Sequence, residues 1–239
     1  VADILRGPGK DERRVRLVAT TRRLQNRWTQ STTAGIDGGR KFTIMKWQVV
    51  LWSAINDAQQ GCCTGLGLFS RMDSAFVQEG VRAWGLKTQV VASKRPTKKH
   101  GVSDAEDAFR DVITNVWEAN WIMCWFHVKK AIKDWIVKHA RFATIAERRA
   151  FWKHVIEPDI DMIHRSCSSA DFRCRCNAVL CHWRAIGADI AILWYDVNGK
   201  QRNICLYCEV EWFSKPWYFR HKVVVPATNN CAEAAIGKL

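Results

Sequence analysis

The sequence predicts an α/β fold, a mixed sheet with helices on its faces. Three observations predict it. β-branched and aromatic runs occupy 41–55 and 65–69; apolar residues recur at helical spacing over 72–85 and 103–116; and the short apolar run WIMCWF at 121–126 leads directly into a long amphipathic stretch. Strands and helices that alternate in this way bury their apolar faces against one sheet. A chain of 239 residues has room for one sizeable domain, or one domain carrying a large insertion.

Taken in order, residues 1–33, with RRVRLVATTRRLQNRW, read as a basic helical lead-in. STTAGIDGGR at 31–40 is turn-rich. KFTIMKWQVVLWSAI and GLGLF, separated by the polar turn NDAQQG, predict two or three adjacent antiparallel strands. MDSAFVQEGVRAWG predicts a helix packed on that sheet and stopping at Gly85. After the basic loop ASKRPTKKHGVSD, Ser103 and Glu106 have capping-box spacing. A helix is expected from Asp104 or just after it, with Phe109, Val112, Ile113 and Val116 on one face. WIMCWF suits a buried strand, and a long basic helix follows. From about 140 to 195 the pattern stays helical and basic, broken near CSSADFRCRC, and CAEAAIGKL closes the chain as a further helix.

The 37 Lys and Arg against 23 Asp and Glu give a net charge of +14, which concentrates a polyanion by counterion release. Nucleic acid is therefore the leading partner class. A composition of 48% hydrophobic and 25% charged residues is that of an ordinary soluble domain, and no run of about 18 apolar residues offers a membrane span. Ten cysteines fall well short of the roughly 8–10% typical of a disulfide-stapled secreted domain, so a reducing compartment is expected. The opening VADILRGPGKDERR has neither an initiator Met nor the apolar stretch of a secretory signal and reads as the start of a fragment.

Asp37, Asp104 and Glu233 stand where such a sheet gathers them. Two Asp and one Glu are the donor set that holds two Mg²⁺ or Mn²⁺ ions for in-line phosphoryl displacement. The words around them carry a resemblance. DGGRKF at 37–42 resembles the D-G-T-Y-K signature that opens the core of Mutator-like (MULE) DNA transposases, and NDAQQGCCTGLGLFSRMDSAFVQEGVRAW is similar to the segment that follows it. SDAEDAFRDVI at 103–113 resembles the family's second catalytic Asp with its helix, CWFHVKK at 124–130 its C-x-x-H motif, and PATNNCAE at 226–233 its T-N-N-x-x-E box. The resemblance covers roughly 30–130 and resumes at about 205–239.

That resemblance implies an RNase H-like mixed sheet flanked by helices, with an α-helical insertion between the second Asp and the Glu. The expected organisation is a lead-in at 1–33, a first part of the core at 34–135, an insertion at 136–204 and a return to the core at 205–239. It implies a DDE transposase in which Asp37, Asp104 and Glu233 bind two Mg²⁺ or Mn²⁺ ions and cleave and join double-stranded DNA at transposon ends and target. Cys124, His127, Asn229 and Asn230 would be site-adjacent, and the location nuclear, with self-association into a homo-oligomer left open. Gly39 and Arg40 depart from the family's Thr and Tyr, and Asp57 is the fallback for the first acid. Lys94, Arg95, Lys98, Lys99, Lys129 and Lys130 are candidate phosphate contacts. Cys205 and Cys208 form a C-x-x-C that either packs as buried thiols or joins a structural zinc site. Two other functions stay open: a domesticated relative that binds DNA as a regulator without catalysis, and a zinc-stabilised helical interaction module.

Overall fold

A computed structural model describes residues 2–6, 15–39, 48–56, 61–70, 72–93, 96–140, 142–188, 194–195 and 201–217. The described residues up to Cys124 form one compact unit, and those from Trp125 form a second.

The first unit is built on a seven-stranded mixed sheet: β1 (Ala2–Arg6), β2 (Val15–Ala19), β3 (Thr33–Gly39), β4 (Gln48–Ile55), β5 (Gly61–Phe69), β6 (His100–Ser103) and β7 (Asn120–Met123). Their spatial order is β1-β2-β5-β4-β3-β6-β7. β1 through β5 pair antiparallel, whereas β6 joins β3 in parallel and β7 joins β6 in parallel. The α/β class expected from the sequence is therefore present. Helices α1 (Arg22–Gln30), α2 (Ser74–Ala92) and α3 (Asp107–Asp111), the last continued by a π-helical turn over Val112–Val116, supply the other layer. The main core packs Ile36, Val50, Trp52 and Phe69 of the strands against Trp28, Phe76, Val77, Val81, Trp84, Phe109 and Ile113 of the helical segments. The opposite sheet face carries a smaller cluster around Val49 and Leu51.

Several expectations are corrected here. Residues 1–33 are not a helical lead-in: β1 and β2 precede α1, and β2 continues the sheet by pairing with β5. The glycine-rich stretch read as a turn is β3, between β4 and β6. Its glycines serve close packing, since a Cβ on Gly38 would stand 2.7 Å from Phe109 Cζ. Gly85 does not stop α2, which runs on to Ala92 and ends at a left-handed Ser93 (φ 51°). The Ser103–Glu106 capping box does not form. Ser103 ends β6, its hydroxyl accepting from the Trp121 indole at 2.9 Å, and α3 begins only at Asp107.

The second unit is largely helical: α4 (Trp125–His139), α5 (Ile145–Phe151) running through a π-helical turn (Trp152–Ile156) into α6 (Glu157–His164), α7 (Ser169–Ala185) and α8 (Ile204–Glu211), with a two-stranded ribbon of β8 (Trp194–Tyr195) and β9 (Gln201–Arg202). α4 buries Val128, Ile132 and Ile136, and α7 buries Phe172, Cys176, Val179, Leu180 and Trp183, both at helical spacing. The break expected near CSSADFRCRC falls at Ser168, which caps α7 by accepting from the Asp171 N–H. The helical region thus begins at Trp125 rather than 136, and residues 204–211 continue it as a helix instead of returning to the sheet.

Candidate functional site

Parallel pairing fixes where the first two acids meet. Thr33 lies opposite His100, Ala34 opposite Gly101 and Gly35 opposite Val102, so the same offset brings Asp37 level with Asp104. Asp37 is inside β3, across from Leu51 of β4, and not outside the first strand as the sequence suggested. Asp104 immediately follows the last residue of β6. Carboxylate oxygens of the two residues lie within 4.8 Å of one another.

Local bonding orients both side chains. Asp37 Oδ1 accepts from the Gly38 N–H at 2.9 Å, and Asp104 Oδ1 accepts from the Glu106 N–H at 3.0 Å. The second bond is an Asx-type turn that carries the chain from β6 into α3. Asp37 is 4% exposed and Asp104 half-buried. Ionised carboxylates held this close and out of water repel each other, and a divalent cation offsets that repulsion. Hard oxygen donors suit Mg²⁺ or Mn²⁺, and carboxylates at this separation can serve one ion or a pair about 3.5–4 Å apart. The residues present therefore fit the ions implied by the resemblance.

The remaining expected residues divide by location. Glu233, Asn229, Asn230, the fallback Asp57, and Lys94 and Arg95 lie outside the described residues. Cys124 is buried, and its N–H donates to the Ser103 carbonyl at 2.6 Å, alongside the start of the Asp104 turn. His127 stands in the first turn of α4, in the second unit.

Two candidate phosphate contacts are corrected. Lys98 is 6% exposed and turns inward, its Nζ donating to the Trp28 carbonyl and, at 2.6 Å, to the Ser31 carbonyl at the end of α1. Burial pulls its pKa down to about 7. Lys129 lies 2.6 Å from Glu157 and 3.2 Å from Asp161. Burial lowers its pKa, but the bonds to these two carboxylates outweigh that and raise it above the ordinary value. Lys130 pairs with Asp134 one turn along α4 and is exposed, as is Lys99.

The C-x-x-C lies on α8, not in a strand-like run, and both thiols are buried. Burial drives Cys208 well above the usual thiol range, with Cys205 and Cys176 of α7 adding to the effect, and pushes Cys176 up to about 12. Zinc takes thiolates, so these neutral, buried sulfurs favour packing. Among the described residues no cysteine joins a cluster of three or more ligand atoms, and all nine described cysteines are free thiols. Nor is any described helix long and apolar enough to cross a membrane.

No family model matches the chain, and no curated protein matches it either.

Proposed function

We propose that this chain is the catalytic region of a Mutator-like DNA transposase with an RNase H-like sheet, acting at transposon ends. The observation that carries the reading is the pair Asp37 and Asp104, on neighbouring parallel strands with carboxylate oxygens within 4.8 Å. Two acids chosen for their sequence words, 67 positions apart, are brought to the same level of one sheet by its register. Support also comes from the strand order, in which three antiparallel strands (β3–β5) are extended by two parallel ones (β6 and β7), and from the net charge of +14.

Asp37 and Asp104, with Glu233 as the third acid, would hold the divalent ions. Two such ions activate a water or a DNA 3′-hydroxyl and stabilise the leaving oxygen of an in-line displacement. The chain's own part is placement: β3 and β6 fix the two carboxylates, and the Gly38 and Glu106 N–H groups hold one oxygen of each. Basic side chains such as Lys99 contact phosphates without reading sequence, and sequence choice at the ends lies elsewhere. His127 is kept as a site-adjacent residue on the resemblance, and nuclear location belongs to the same reading.

The test is nicking of transposon-end duplex DNA in Mg²⁺ or Mn²⁺. Asp37→Asn and Asp104→Asn should each lower the rate by more than the roughly 10–100-fold that changes around metal ligands cost. Activity that survives both substitutions contradicts the assignment. Duplex binding with no metal-dependent nicking would instead indicate a DNA-binding relative without catalysis.

A further inference from the structure

Away from the paired carboxylates, the first unit contains a cavity of about 280 Å³ between α1, α2 and the segment after α3. Trp28, Trp84 and Trp117 line it. Trp28 meets Trp84 edge-on at 4.9 Å and Trp117 edge-on at 5.1 Å, so the rings form an angled aromatic wall.

Three costs converge on this cavity without a packing reason inside the chain. Gly85 sits within the 19-residue helix α2, where glycine costs about 1 kcal/mol relative to alanine, yet a Cβ there would meet nothing within 4 Å. Glu118, on the rim, holds φ at 53°, a left-handed conformation that residues with a Cβ rarely adopt. The Trp84 indole N–H is buried and finds no acceptor among the described residues. Strain and unused hydrogen-bonding capacity concentrated at one opening are what a binding site retains.

The lining identifies the class of occupant. Aromatic walls accept a flat ring. Gln89 and Asn115 on the rim each offer an amide donor and acceptor, Arg82 offers donors and Glu118 an acceptor. A rim of mixed donors and acceptors around aromatic walls matches a planar heteroaromatic ring with both kinds of group on its edge, and the volume suits one such ring system. Net charge of +14 draws nucleic acid, the richest source of such rings.

We infer that the Trp28–Trp84–Trp117 cavity binds a single nucleobase, stacked on tryptophan and held at its edge by the rim side chains. This goes beyond the proposed nuclease reading and needs neither metal ions nor Asp37 and Asp104, so either can fail alone.

The probe is 2-aminopurine, whose fluorescence is quenched by stacking, supplied as the free riboside and within single-stranded DNA, in EDTA. The native chain should quench at least one form saturably. Quenching of both indicates recognition of the ring itself, and quenching of the DNA form alone indicates a base presented by a strand. Gly85→Leu projects into the opening from a position with free space, so its Tm should not fall, while quenching should weaken at least tenfold. Gln89→Ala, on the exposed rim, should weaken it severalfold. No quenching of either form, or equal quenching by the Gly85→Leu protein, overturns the inference.

Discussion

Gly101 in β6 would place a Cβ 2.5 Å from Ile113 Cγ2, and Gly38 in β3 one 2.7 Å from Phe109 Cζ, so both strands approach α3 and its π-helical turn too closely for a side chain. Ile113 is fully buried and cannot swing clear. Gly101→Ala should therefore destabilise the protein by about 1–3 kcal/mol in urea unfolding, the range for overpacking, and Ile113→Val beside it should restore part of the loss. Lys98 makes a second residue-scale prediction. Its folded pKa of about 7 lies below the ordinary 10.5, so the unfolded chain binds more protons between those values. Stability should rise with pH through that window, and Lys98→Met should flatten the rise in a pH series of denaturation curves. The neutral amine keeps two N–H groups, matching the Trp28 and Ser31 carbonyls it faces. The inward turn of Lys98 was not legible, because KRPTKK looks the same whether solvated or folded under a helix end. Asp37 and Asp104, by contrast, were legible from the words around them.

Elements followed their patterns where side-chain periodicity governs and departed where packing overrides local preference. β4 and β5 were readable from β-branched and apolar runs, and α7 from its apolar spacing. β3 was hidden because TAGIDGG has the composition of a turn, and only the nearness of Phe109 explains its glycines. β2 was hidden among arginines until its pairing with β5 supplied a partner. α8 was taken for a strand since ICLYCEVE is apolar and short; the Asn203 side chain, accepting from the Leu206 N–H at 2.9 Å, starts it as a helix. Caps of this kind make an element-scale prediction. Asp73 accepts from the Phe76 N–H at 3.0 Å at the start of α2, so Asp73→Ala should cost about 1 kcal/mol of stability, read by the same urea titration.

At the scale of the molecule, charge and register set function. The excess of 37 basic over 23 acidic residues predicts duplex-DNA affinity that falls steeply with salt, by at least about tenfold between 50 and 200 mM, as counterion release requires. Flat salt dependence in a binding titration would remove electrostatics as the basis of the partnership. Sheet register is what turns scattered acids into a site: the offset that pairs Thr33 with His100 also levels Asp37 with Asp104. The central claim is that this carboxylate pair holds divalent metal, and calorimetric titration of Mn²⁺ into the protein tests it without needing a DNA substrate. Saturable Mn²⁺ binding should weaken at least about tenfold in both Asp37→Asn and Asp104→Asn. Affinity unchanged in either variant, or no binding by the native chain, would contradict it.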